Sequence, residues 1–468
     1  MKKRKLEEAL GEISPQHIAE AAAAGRKKKR ALTWISAIAA ALALVLAARF
    51  IEIPMAIRSE AVSLAVNRIE ERPEIDDYQT REQWLADLNV WTAQRDSRND
   101  NVKEALAASR GFLKESCDIF LSGEGNQLYS PINAYIGLAM AAELTAGNTR
   151  QQLLDVLGAQ DTDTLACYTS ALWESAYYDN GKDICTLASS LWLDKELSFR
   201  QKVMDTLAHD YYVSVYRQDL QGQQALKDIQ AWLNNNTGGF LRESVDSIVL
   251  PEEALLALYS TIYFQSKWAD EFIESKNTKA PFHAPDGDVT ATYMNKTQAQ
   301  MNYYWGKSFG AVSLSLKNRS QMWFILPDEG KTTEDVLAEG EYLDMLLGEW
   351  ENSKYMKVNL SVPKFDIHAK KDLRDGLAEM GITELWNFGQ ADFSASLKEP
   401  AYISAANQAV RVKIDETGVT AAAYIELPAA GAAPPPEEII DFILDRPFLF
   451  VITNYSGIPL FAGTVEQP

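Results

Sequence analysis

Apolar positions recur at helical spacing early in the chain and at strand spacing late. Residues 102–121, 132–144 and 149–157 predict helices, the second opened by Ser130-Pro131. Residues 187–193 read as a buried strand, and 225–233 as a helix stopped by Asn234-Asn235-Asn236-Thr237-Gly238-Gly239. After an apolar run at 255–264, strands dominate: 311–316, 322–326, 358–362, 410–414 and 448–452. Helices return at 333–337, 342–349 and 371–380. The order predicts an α+β class, one mixed domain with large sheets rather than a doubly wound one.

One stretch reads two ways. Were residues 419–429 extended, Val419, Ala421, Ala423, Ile425, Leu427 and Ala429 would share one face, all apolar. Thr420, Ala422, Tyr424, Glu426, Pro428 and Ala430 would share the other. The segment is patterned to lie in a sheet over a core. Its tail, 429–436, is Ala, Gly and Pro, and predicts an exposed, protease-accessible loop. A segment that is a loop now and a strand later is a candidate switch.

Composition narrows the field. Hydrophobic residues make up 47% of the 468, enough for a large core. The formal net charge of −20 argues against nucleic acid or an anionic membrane surface as partner of the globular part. Charge is unevenly spread, since residues 1–30 carry nine Lys/Arg against four Asp/Glu. That segment reads as a cytoplasmic basic N-terminus, followed by a transmembrane anchor at 31–50 whose apolar run at 31–48 spans a bilayer if Arg49 snorkels. Basic residues before the run set the N-terminus inside and the bulk of the chain outside. The alternative is a secretory signal cut near Ala47-Ala48, releasing the domain. Residues 51–100, charged with scattered Trp84, Leu85, Leu88, Val90 and Trp91, read as a partly helical stalk, and 101–468 as the domain it carries.

Enzyme chemistry finds no carrier. Gly306-Lys307-Ser308-Phe309-Gly310 matches a nucleophile-elbow pattern, but the alternating Ala311-Val312-Ser313-Leu314-Ser315-Leu316 that follows predicts a strand where the elbow needs a helix. His17, His209, His283 and His368 have no second His or Cys at metal-ligand spacing, so neither metal nor cofactor is expected. Cys117, Cys167 and Cys185 are too few for a disulfide framework; a Cys167–Cys185 bridge is possible, and free buried thiols are the preferred reading.

Several ordered motifs from about residue 100 to the end resemble the serpin family of serine-protease inhibitors. Ile414-Asp415-Glu416-Thr417-Gly418-Val419-Thr420-Ala421-Ala422-Ala423 is similar to its hinge, an acidic residue and a Gly before a run of small residues. Asp445-Arg446-Pro447-Phe448-Leu449-Phe450 and Pro459-Leu460-Phe461-Ala462-Gly463 resemble its C-terminal signature. Tyr129-Ser130-Pro131-Ile132-Asn133, Ile262-Tyr263-Phe264-Gln265-Ser266-Lys267-Trp268, Val362-Pro363-Lys364-Phe365, Leu377-Ala378-Glu379-Met380-Gly381-Ile382 and Ala391-Asp392-Phe393-Ser394 follow in family order. With the apolar segment, they suggest a membrane-tethered member of bacterial type.

The resemblance implies helices around three β-sheets with an exposed reactive-centre loop. It implies a suicide inhibitor of extracellular serine endopeptidases, in which a protease cuts the loop, forms an acyl-enzyme and is trapped as the freed segment inserts into the main sheet. The hinge would comprise Glu416, Thr417, Gly418, Val419, Thr420, Ala421, Ala422 and Ala423, small enough to be buried. Counting forward from Gly418 sets the reactive bond at Ala432–Ala433, with Ala430–Gly431 as the alternative. Small residues before the bond suit an elastase-like or subtilisin-like protease. Pro428 would withdraw one ladder hydrogen bond from the inserted strand and slow its completion. A polar cluster that gates the sheet maps to Ser130, Asn133, Ser260 and Gln408, the last two standing where the family usually has Asn and His. With Gln there, the pH sensitivity of that His is expected to be absent. Trp268 would mark where the new strand enters. The alternative function is a non-inhibitory binding or carrier protein at the cell surface. The domain is expected to be a monomer.

Overall fold

The computed structural model describes residues 61–65, 80–251, 254–348, 350–419 and 438–468. The expected basic segment at 1–30, the anchor at 31–50, and the loop containing Thr420, Ala421, Ala422, Ala423, Ala430, Gly431, Ala432 and Ala433 lie outside these residues.

The chain opens with β1 (Val62–Ala65) and a long helix, α1 (Arg81–Leu121), whose start is capped by the Thr80 hydroxyl accepting the Gln83 N–H at 3.3 Å. Next come β2 (Gln127–Tyr129), α2 (Pro131–Leu144), α3 (Gly147–Leu157) and α4 (Thr162–Ala176). β3 (Tyr178–Asp179), β4 (Ile184–Asp194), α5 (Gln201–Asp210), β5 (Val213–Gln218), α6 (Gln223–Asn236), α7 (Arg242–Asp246) and β6 (Leu256–Lys267) follow. Strands then take over with β7 (Thr278–Ala284), β8 (Gly287–Trp305), β9 (Phe309–Ser315) and β10 (Gln321–Pro327). After α8 (Thr333–Glu339) and α9 (Glu341–Leu347) come β11 (Ser353–Pro363), β12 (Phe365–Asp372), α10 (Arg374–Glu379), β13 (Asn407–Ile414) and β14 (Gly418–Val419). The chain ends in β15 (Ile439–Ile443), β16 (Phe448–Thr453) and β17 (Pro459–Val465).

Among the described residues the strands form two hydrogen-bonded sheets. The first runs β1-β5-β4-β6-β14-β13-β12, with β3 on β4; the second runs β15-β11-β8-β9-β10-β16-β17-β2, with β7 on β8. Three sheets were expected. β8, 19 residues long, pairs through its first residues with β7 and through its last with β9, so strands at both of its ends are joined into one sheet.

The main core lies between the two sheets and around α2. β16 and β17 are buried at every position, and Phe448 meets the rings of Phe282, Phe324 and Phe365. α2 is apolar nearly all round and correspondingly enclosed, with Pro131 at its first position where no N–H is missed. Alternation along β4 shows that the first sheet is covered on both faces: Leu191 and Leu193 enter the main core, whereas Trp192 joins Leu220, Ala225, Ile229, Leu233 and Val245 in a separate cluster under α6 and α7. β6 alternates likewise, with Ile262 and Phe264 inward and Ala257 and Tyr259 against the second cluster.

Two expectations are corrected. Residues 51–100 are not all stalk: β1 pairs antiparallel with β5 (Val62 opposite Arg217), and the boundary at 100 falls inside α1. A sheet edge leaves backbone groups unpaired, and four extended residues with Leu64 and Ala65 turned to the core satisfy them. The helix expected at 371–380 starts later, because Lys371 and Asp372 stay in the ladder with Gln408 and Asn407.

Removing residues 1–65 should therefore strip protection from at least one backbone amide among Val215, Tyr216 and Arg217 in hydrogen exchange, leaving the β16 amides unchanged. Unchanged exchange in β5 would mean β1 is unpaired in solution.

Candidate functional site

β6 and β13 run side by side in the first sheet, yet among the described residues no ladder joins them directly. Their link is β14, two residues long: Gly418 pairs with Lys267, and Val419 pairs with both Ser266 and Ile414. This register sets Ser266 level with Ile414. Carried down the two strands, the same offset sets Tyr263 level with Arg411 and Ser260 level with Gln408. Lower down, a cavity of about 420 Å³ opens between them, lined by Leu258, Tyr259 and Ser260 on one side and Asn407 and Ala409 on the other.

The chain reaches β14 through a tight reversal. Asp415 holds it, one carboxylate oxygen accepting the Thr417 N–H at 2.9 Å, the Thr417 hydroxyl at 2.6 Å and the Gly418 N–H at 3.3 Å. The Asp415 N–H donates in turn to the Gly418 carbonyl at 3.0 Å. At Gly418 the backbone lies so close to β6 that a Cβ would stand 2.4 Å from the Ser266 carbonyl oxygen. Only glycine fits there.

Trp268 fastens this reversal to β6. Its indole N–H donates to the Asp415 carbonyl at 2.8 Å and its backbone N–H to the Thr417 carbonyl at 3.0 Å, while Phe272 N–H bonds the Glu416 carbonyl at 2.9 Å. Fully buried, Trp268 packs edge-on against Phe272. The Glu416 side chain is bound by Lys364 and by the Asn277 amide. Burial pushes its carboxyl up, but the bonds from Lys364, its own N–H and Asn277 outweigh that and hold it below the usual carboxylate range.

The four residues of the polar cluster meet at the start of α2. Gln408 spans the Ser130 backbone, its carbonyl accepting the Ser130 N–H at 2.8 Å and its amide donating to the Ser130 carbonyl at 2.9 Å. The Ser130 hydroxyl donates to the Leu460 carbonyl at 2.6 Å. Asn133 and Ser260 bond reciprocally: Asn133 Nδ2 donates to the Ser260 carbonyl at 3.1 Å, and Ser260 Oγ donates to Asn133 Oδ1 at 2.5 Å. One helix end thus holds both flanking strands, β13 through Gln408 and β6 through Ser260. Asp415, Asn277, Lys364 and Ser189, whose hydroxyl reaches Ser260 at 3.2 Å, were not singled out from the sequence. For Asp415 a signal exists in Asp-x-Thr-Gly, the pattern of a side-chain-capped turn.

The remaining candidates do not form a site. Ser308 is buried and donates to Glu339 at 2.5 Å just before β9, so the elbow pattern is a coincidence of sequence. His209 pairs with Asp210 and His283 with Asp288 at the surface. Among the described residues no cluster of metal-ligating side chains exists. All three cysteines are free, but only Cys117 and Cys185 are buried as expected, whereas Cys167 is exposed; burial pushes the Cys117 thiol up to about 12, which keeps it unreactive.

Comparison with known proteins bears on family and fold. The family model described as Serpin (serine protease inhibitor) matches residues 118–468. Serpin-ZX of Arabidopsis thaliana is 28% identical over 375 residues, covering 74% of this chain and 93% of that protein. The leukocyte elastase inhibitor of Homo sapiens is 28% identical over 356 residues, covering 74% and 93%. Among solved structures, the thermophilic serpin tengpin in its native state superposes with a TM-score of 0.68 at 23% identity, covering 77% of this chain and 93% of that one.

Two outcomes follow from the bonds described. Because the Glu416 carboxyl is held below its ordinary value of 4.5, the stability it confers is complete above that pH and drains away as pH falls through the depressed value. Thermal midpoints should therefore decline more steeply below about pH 4.5 in the native sequence than in Glu416→Gln; parallel profiles would remove Glu416 from the hinge. Gln408→Leu leaves the Ser130 N–H buried without its partner, at a cost of about 1–3 kcal/mol, while the Ser130 carbonyl keeps the Ala134 N–H at 3.2 Å. A thermal midpoint equal to that of the native protein would show that the cluster does not hold β13.

Proposed function

Because the chain belongs to the serpin family, whose members are generally protease inhibitors rather than enzymes, we propose that it is a suicide inhibitor of extracellular serine endopeptidases of elastase-like or subtilisin-like specificity. The observation that carries this reading is the slot: two parallel strands held level and joined in the ladder, among the described residues, only by a two-residue strand whose continuation in sequence is Thr420-Ala421-Ala422-Ala423. Backbone N–H and C=O groups facing the slot gain partners when a strand fills it, so insertion is downhill once the chain is free to move. The hinge is pre-engaged, and the next residues are small enough to follow.

The protease's serine oxygen adds to the Ala432 carbonyl. The Ala432–Ala433 amide breaks, and the amine of Ala433 leaves with a proton. The acyl-enzyme then travels with the upstream segment as it enters between β6 and β13. Residues continuing β14 with its alternation turn Ala421 and Ala423 toward the core and Ala422 outward. Pro428 enters late and withdraws one ladder bond. Tethering through 31–50, with the domain outside the cell, belongs to the same proposal; release after cleavage near Ala47-Ala48 is its alternative.

Incubated with an elastase-like protease, the protein should give an SDS-stable complex together with a faster-migrating cleaved form, and the cleaved form should resist heat better than the native one. Ala421→Glu places a charge on the inward face and should abolish the complex while leaving cleavage intact. A cleaved form no more heat-resistant than the native protein, with no stable complex for any protease of this class, would favour the carrier reading instead.

A further inference from the structure

The slot is bridged on its outer face. α6 ends at Asn236 and is followed by Gly238-Gly239, two consecutive left-handed residues (φ 57° and 72°) that turn the chain back toward the sheet, closed by Gly239 N–H to Asn234 carbonyl at 2.9 Å and Phe240 N–H to Thr237 carbonyl at 2.9 Å. The turn lies directly on β6, since a Cβ on Gly238 would be 3.3 Å from the Tyr263 ring. Phe240 then reaches both flanking strands. Its ring meets Tyr263 edge-on at 6.5 Å between centroids, and the Arg411 guanidinium stands over it at 4.7 Å. Arg411 is itself fixed by Asp366 on β12, through two bonds of 2.8 Å. Tyr263 and Arg411 are level across the slot by the register of β14, so Phe240 spans it squarely at that height.

The space beneath is narrow. Thr237, Phe240, Tyr263, Arg411 and Val419 line a void of about 10 Å³, room for about one water, in contrast to the wide cavity lower down. A strand continuing β14 must pass here, and the register brings Ala422 level with Tyr263 and Arg411 on the outward face, the face Phe240 covers.

We infer that Phe240, with Tyr263 and Arg411, is a clasp across the slot that sets the rate of strand insertion, and that it selects for a side chain no larger than a methyl at position 422. This rests on the trapping mechanism proposed above. With the clasp shut, the two halves of the sheet are joined outside the ladder; insertion opens it before the strand can zip past. The clasp is a kinetic device and leaves recognition and cleavage of the loop untouched.

The test follows purified full-length protein nicked in the loop by a subtilisin-like protease, reading the rate at which nicked molecules gain heat resistance. Phe240→Ala should insert roughly three- to tenfold faster than the native sequence, as expected for loss of one ring pair and one cation–π contact. Phe240→Trp, which strengthens the contact with Arg411, should insert more slowly, an opposite sign that loosened packing does not give. Ala422→Leu should slow insertion severely, and Phe240→Ala combined with it should restore most of the rate. The clasp is refuted if Phe240→Ala inserts at the native rate or more slowly, if Phe240→Trp speeds insertion, or if Ala422→Leu is as slow with Ala at 240 as with Phe. If the nicked native protein gains no heat resistance at all, trapping by insertion fails first, and the clasp falls with it.

Discussion

Backbone N–H and C=O groups inside a sheet need partners, and β6 and β13 face one another across a gap where, among the described residues, only Gly418 and Val419 supply a ladder. Other features of the molecule can be ranked by how they hold that gap. From one end of α2, Gln408 and Ser260 are gripped through four side-chain hydrogen bonds to Ser130 and Asn133. The grip fixes each strand to a common support without joining the two strands to each other. Direct pairing of β6 with β13 would satisfy more backbone groups, and what opposes it is this shared anchorage together with the wedge of β14 at the top.

The hinge adds directionality. Asp415 folds the reversal, Trp268 pins it, and Glu416 is tied by Lys364 and Asn277, so the first two residues of a new strand are already in register before any bond is cut. Starting a strand is the entropically costly step, because several dihedrals are fixed for few hydrogen bonds. On the proposed mechanism that step is already complete in the intact chain, where Gly418 and Val419 are paired, and propagation is what remains. The covering cluster under α6 and α7, separate from the main core, lets the outer face yield without disturbing the packing between the sheets.

Local pattern made much of this legible. Phe448 to Ile452 is apolar at every position, and burial on both faces follows from that alone. α2 announces itself by Ser130-Pro131 and an apolar run, and the hinge by Gly418 followed by small residues. The cluster at Ser130, Asn133, Ser260 and Gln408 came from motif correspondence; its bonds join residues up to 278 apart in sequence, a distance no local pattern encodes. β1 escaped notice because four residues carry too little alternation, and its reason to be extended lies in β5's open edge. Lys371 and Asp372 read as helical by spacing, yet the ladder with β13 decided otherwise, tertiary pairing overriding propensity. Phe240 looked like the residue after a helix stop, and nothing in its neighbours foretells Tyr263 or Arg411.

The position of β15 has its own consequence. Directly after Glu438 the chain joins the second sheet, pairing parallel with β11, and then runs through β16 and β17, which are enclosed on every side. Whatever severs the backbone between 420 and 437 therefore yields two polypeptides but a single particle, since the C-terminal piece is woven through the middle of the molecule. Nothing diffuses away to be replaced, and no religation resets the device. On the trapping mechanism proposed above, each molecule is spent by one encounter, and capacity scales with the number of copies made.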